Sequence, residues 1–128
     1  VHANTVKNQK TVGLTMVSLI TFAAIGGNND DPMTDPYPEH AFIHDNTYDN
    51  CGTDPASPLD ALPNRPVEDI VWDGDEKMAG SAHLCLGTGN TATFRDVNGL
   101  ANIGNPGNQS TDPTPFECDG MALSPIQF

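Results

Sequence analysis

Apolar residues in this chain come in short runs broken by turn formers, with one exception near the start. Thr11 to Gly27 reads TVGLTMVSLITFAAIGG, and no charge interrupts Val12 to Ile25. Two periodicities fit this run. Val12, Leu14, Met16, Ile20 and Phe22 share one parity, as on one face of a strand; Val12, Met16, Leu19, Ile20 and Ala23 share a helical stripe. Residues 14–25 hold neither Gly nor Pro, so the pattern predicts a helix, with a strand as the alternative. A segment apolar on all sides belongs inside something.

The flanks bear on where it goes. Lys7 and Lys10 precede the run, and Asn28-Asn29-Asp30-Asp31 follows it. That order suits an anchor with a cytoplasmic basic end and an exported acidic body, although a bilayer span needs about 20 apolar residues and this run is shorter. A secretory signal has the same layout; because the chain opens on Val1, the segment is expected to be retained.

Beyond residue 27 the turn formers dominate. Thr-Asp-Pro recurs at 34–36, 53–55 and 111–113 as turn punctuation. The uninterrupted stretch Glu39 to Cys51 predicts a helix of two or three turns. Val67, Ile70, Val71 and Trp72 form an apolar patch ending at the turn pair Asp73-Gly74. Residues 82–86 and 91–97 read as strands of a hairpin, joined by Gly87-Thr88-Gly89-Asn90, with Trp72 and Phe94 as core aromatics. The uncharged tail Met121 to Phe128 is expected to dock. The expected fold is therefore α+β with low regular content: an N-terminal apolar helix plus a small loop-rich domain with short antiparallel strands. The segments are 1–27 (apolar anchor or assembly element), 28–66 (irregular) and 67–128 (β-containing).

Composition narrows the function. Gly, Pro, Asn and Asp supply 48 of 128 residues, which excludes helical bundles and coiled coils. A net charge of −12 would repel a phosphate backbone, so no nucleic-acid partner is expected. A core this thin needs a disulfide, a metal or a partner. Cys51, Cys85 and Cys118 are too widely spaced for a thiolate metal site. One disulfide with one thiol left over is expected, in an oxidising compartment.

Candidate chemistry is sparse. His40, His44, Asp45 and Asp49 have helical i, i+4 spacing, but Ala41 stands where a zinc hydrolase would place its general base. Phe42-Ile43-His44-Asp45-Asn46-Thr47-Tyr48 resembles the His-Asp dyad region of secreted phospholipases A2. The resemblance implies His44 as general base and Asp45 as a calcium holder; it departs from that family at Thr47, where a cysteine belongs, and in lacking the glycine-rich calcium loop. Acidic loops at Asp30-Asp31, Asp73-Gly74-Asp75-Glu76 and Asp96-Val97-Asn98-Gly99 offer hard oxygen ligands. Asp73, Asp75, Asp96 and Asn98 are the candidate metal ligands, with calcium as the candidate cofactor. Gly87-Thr88-Gly89 lacks the helix and lysine of a phosphate cradle, and Asn108-Gln109-Ser110 is a glycosylation acceptor pattern.

No catalytic residue is expected, and the reading is of a non-catalytic structural or accessory subunit of a larger exported assembly: a filament, a virion shell or the outer face of a membrane complex. Its partners would be other protein subunits, with membrane contact through residues 12–27. It would lie on the extracellular or exoplasmic side. The alternatives are a calcium-binding extracellular module and a small secreted hydrolase.

Overall fold

The computed structural model describes residues 1–28, 32–80 and 82–120. In chain order the regular elements are β1 (Thr5–Lys7), β2 (Leu14–Met16), α1 (Leu19–Ala24), β3 (Phe42–Ile43), β4 (Thr47–Asp49), β5 (Ile70–Trp72), β6 (Cys85–Leu86) and β7 (Phe94–Asp96), with short 3-10 turns between and after them. Every strand pair is parallel. β3 pairs with β6, β1 with β4, and β2–β5–β7 form a three-stranded sheet. Single-residue parallel bridges extend the pattern: His2 to His44, Thr47 to Thr91 and Leu86 to Glu117.

These pairings describe a coil. Each turn of the chain visits a first sheet (His2; Phe42–Ile43; Cys85–Leu86), a second (Thr5–Lys7; Thr47–Asp49; Thr91) and a third (Leu14–Met16; Ile70–Trp72; Phe94–Asp96), then begins again one layer further on. The architecture is a short parallel β-solenoid of three coils, in which each coil contacts its neighbours. All three sequence segments, 1–27, 28–66 and 67–128, contribute strands to shared sheets.

The inside of the coil is the core. Leu14, Ile70 and Phe94 stack in register, as do Met16 and Trp72, and Ile43 stacks over Leu86. Tyr48, Cys51, Ala82 and Leu84 complete this cluster. Burying each large apolar side chain contributes about 1.5–3 kcal/mol relative to exposure. Asparagines stack at one corner. Asn46, fully buried, accepts from the Asn4 backbone and side-chain amides through Oδ1 (3.1 and 3.0 Å). It donates in turn to Asn90 Oδ1 from its own backbone N–H (3.1 Å) and side-chain amide (3.3 Å). The ladder satisfies backbone groups that a sharp corner would leave orphaned. Ala3 and Asp45, just before the first two ladder residues, turn the corner with φ of 53° and 54°.

A second, smaller cluster covers the outer face of the third sheet: Leu62, Val67, Val71 and Val97, with Val12, Leu59 and Ile103 against it. Beside it Arg95 and Glu68 form a buried two-point pair, Nε to Oε2 and Nη2 to Oε1 both at 2.6 Å. Cys85 and Cys118 form a disulfide that ties the 110–119 segment to the third coil, leaving Cys51 as a buried free thiol.

Four expectations are corrected. The N-terminal apolar run is not one helix: its first part is strand β2, because Leu14 and Met16 alternate inward against Ile70 and Trp72. The helix begins at Ser18, whose Oγ caps it by accepting the Thr21 N–H at 3.0 Å, and it ends after six residues at Gly26, which has φ 94°. The Glu39–Cys51 stretch is not helical but holds β3 and β4 around the asparagine corner. The strands are not antiparallel. β6 and β7 do not form a hairpin; each pairs with a strand of the coil before it, since the residues between them turn a solenoid corner rather than reverse the chain. No helix among the described residues is long and apolar enough to cross a membrane. The Met121–Phe128 tail and Asp30-Asp31 lie outside the described residues.

Candidate functional site: an apolar cleft on the third sheet

Three long connections depart from the coil path next to the third sheet: one after β2, described over residues 17–28 and 32–40, one at 53–66 before β5, and one at 98–109 after β7. Insertions that converge on one face of a solenoid commonly build its binding surface. Here they wall a cleft of about 380 Å³ over the outward face of that sheet, within the size range of ligand pockets. Val71 and Val97 form its floor. Val17, Phe22 and Ile25 come from the first connection, Leu59 from the second, and Leu100 and Ile103 from the third. The N-terminal apolar run thus splits in two. Leu14 and Met16 pack on the inner core, whereas Val17 (39%), Phe22 (42%) and Ile25 (47%) line the cleft and remain substantially exposed, as does Ile20 (44%) on α1.

One end of the cleft is acidic. Asp73 lines it while being only 5% exposed. Its Oδ2 accepts the Ser18 backbone N–H at 2.7 Å, and its Oδ1 accepts that of Asp75 at 3.1 Å. Asp75 Oδ2 accepts the Ser18 hydroxyl (3.1 Å) and the Thr21 hydroxyl (3.0 Å), so the two carboxylates hold the start of α1 against the sheet. The loop after β7 arrives at the same place. Gly99 N–H donates to the Asp73 carbonyl at 2.5 Å, and Asp96 Oδ1 accepts the Asn98 N–H at 2.8 Å. Burial pushes the Asp96 carboxyl above its ordinary range, and the neighbouring Glu76 and Asp73 charges push the same way against the Asn98 bond.

The fold therefore gathers Asp73 and Asp75, just after β5, and Asp96 and Asn98, at and just after the end of β7, to one edge of the third sheet. Both Asp73 oxygens, Asp75 Oδ2 and Asp96 Oδ1 accept from backbone or hydroxyl donors. Among the described residues no group of three or more His, Cys, Asp or Glu side chains is arranged around a common metal position.

The histidines fall elsewhere. His44 Nδ1 lies 2.6 Å from Asp45 Oδ2, with the ring stacked between Phe42 (4.1 Å) and His2 (4.9 Å). His40 stacks on His83 at 4.7 Å, and Asp49 pairs with Lys7 at 3.3 Å. The His-Asp pair lies at a solenoid corner rather than on a helix, and no hydroxyl nucleophile among the described residues bonds to the His44 ring. A second cavity, about 460 Å³, lies beneath Phe94 between the third coil and residues 113–119. Its apolar walls, Ile70, Leu86 and Phe94, belong to the inner core, so it is the end of that core rather than a built surface.

No family model, curated protein or solved structure matches this chain. The reading of the site rests on its own geometry. Leu59, Leu100 and Ile103 were not legible as site residues from composition. The signal that points to them is the pattern His-x-Asn-Thr at 2–5 and 44–47, with Asn-Thr again at 90–91, which marks where each coil starts and hence which residues are insertions.

Proposed function

We propose that this chain is a non-catalytic structural or accessory subunit of a larger exported assembly, docked on its neighbour through the exposed half of the N-terminal apolar segment. The observation that carries the reading is the exposure of Val17, Phe22 and Ile25 around an apolar cleft, with Ile20 exposed on the same short helix as Phe22. Clustered apolar exposure on a small acidic domain marks an interaction surface. The Cys85–Cys118 disulfide supports an oxidising, extracellular setting. Sedimentation of the full chain provides the test. Concentration-dependent association that the double variant Phe22→Asp, Ile25→Asp abolishes is the expected result; a chain that stays monomeric to high concentration ends the self-assembling form of the proposal.

A calcium-dependent module remains a second reading, favoured by the convergence of Asp73, Asp75, Asp96 and Asn98. A melting temperature that rises with calcium and falls with a chelator would support it. An unmoved one would end it. The hydrolase alternative has no bonded nucleophile in its favour.

A further inference from the structure

We propose that the cleft on the third sheet receives a partner segment whose apolar side chains are followed closely by a lysine or arginine. The inference rests on the assembly reading and adds the chemistry of what docks.

Two independent features define that chemistry. The body of the cleft is aliphatic and aromatic: Val71 and Val97 below, Phe22, Ile25, Leu59 and Ile103 around. Such a surface takes an apolar group and gives no directional bond. The α1 end carries Asp73 in the lining and Asp75 bonded to Thr21, itself a lining residue. Both carboxylates are held by uncharged donors. The ion pairs among the described residues are Lys7–Asp49, His44–Asp45, Lys77–Asp35 and Arg95–Glu68, and none reaches Asp73, Asp75 or Asp96. Negative charge at the end of an apolar trough, on a chain with net charge −12, is complementary to a cation carried on an apolar stem. Lysine and arginine meet both demands, since their methylene stems lie on apolar surface while the charged head sits at the acidic end, within the field of the Asp73 and Asp75 carboxylates. The low-dielectric wall strengthens the attraction relative to open water.

The test uses small probes on the full chain, followed by backbone amide shifts at Val17, Val71, Val97 and Ile103. Hexyltrimethylammonium is expected to bind saturably and at least about tenfold more tightly than hexyl sulfate, with the preference shrinking as salt is raised. Ala56→Phe, at an exposed lining position, should fill the trough and weaken binding by about tenfold or more while leaving the melting temperature in place. Equal affinity for the sulfate, shifts centred away from the cleft, or undiminished binding to the Ala56→Phe chain would overturn the proposal. The outcomes separate it from the assembly reading. A monomeric chain that still prefers the ammonium probe removes self-assembly and leaves the cleft chemistry; an associating chain indifferent to probe charge does the reverse.

Discussion

Asn4 donates to a single oxygen, Asn46 Oδ1, from both its backbone N–H and its side-chain amide, at 3.1 and 3.0 Å. Asn46 is fully buried and also donates to the Val1 and His44 carbonyls and to Asn90 Oδ1. Replacing it by alanine orphans groups in all three coils at once. Asn46→Ala should lower stability by about 2–4 kcal/mol, measured by urea denaturation. Asn46→Asp should be at least as damaging at neutral pH, because it turns an unpaired buried carboxylate oxygen toward the Val1 and His44 carbonyls and Asn90 Oδ1.

That ladder also shows why part of the fold was legible and part was not. Local chemistry spoke clearly: turn formers at corners, Trp72 and Phe94 in the core, one disulfide with a thiol left over. Partner choice did not, because alternation along β5 or β7 says which side chains face inward and nothing about which strand lies alongside. The same short runs satisfy a hairpin or a coil. The cue that separates the two is the His-x-Asn-Thr recurrence, which carries Ala3 and Asp45 at x and is reduced to Asn-Thr in its third copy at 90–91. Alternation and helical stripe fitted the N-terminal run equally well because it is both: strand to Met16, helix from Leu19. At the cleft, the acids were readable as a group, but the hydrophobic walls come from connections whose convergence only the coil path reveals.

Glu68 and Arg95, with side chains 8% and 4% exposed, are further held by Asn64 on Glu68 (2.9 Å) and Gln109 on Arg95 (2.7 Å). Burial raises the Glu68 carboxyl, but its bonds from Arg95 and Asn64 and the guanidinium charge outweigh this and hold it below its ordinary 4.5. A depressed folded value means that the contribution is complete above the unfolded value and is lost as pH falls through the folded one. Glu68→Ala should cost about 3–5 kcal/mol by stranding a buried guanidinium, with the deficit shrinking in acid below pH 4.5. Denaturation at a series of pH values checks both parts.

Asp96 titrates in the opposite sense. Its folded value is raised, first by burial and then by Glu76 and Asp73, although the Asn98 N–H pulls it down. Its ionisation therefore weakens the fold as pH climbs from 3.8 through the raised value. Asp96→Asn keeps an acceptor for the Asn98 N–H, so it should stabilise the chain at neutral pH and lose that advantage in acid. Melting curves of the two chains should converge as pH is lowered.

Reducing the Cys85–Cys118 bridge, which spans a sequence separation of 33, should remove about 3–4 kcal/mol by the loop-entropy relation. Cys85→Ala with Cys118→Ala should reproduce the loss without reductant. Limited proteolysis should then cut first within 110–119, the segment otherwise held by the Leu86 and Asp96 bridges.

Gly52 turns the chain at φ 71°, and a Cβ there would sit 2.5 Å from the Val67 carbonyl oxygen, a backbone atom with nowhere to go. Gly52→Ala should cost at least about 1–3 kcal/mol from the left-handed conformation and the clash together, read as a lowered denaturation midpoint.

Stacking matched asparagines layer upon layer has a genetic corollary. Because each ladder residue meets its equivalent in the next layer and nothing further off, copying the stretch from Asn46 to Gly89 in tandem would supply one more rung with its hydrogen bonds already provided. Such a chain can grow by duplication of whole turns, and its length is free to drift while its cross-section stays fixed.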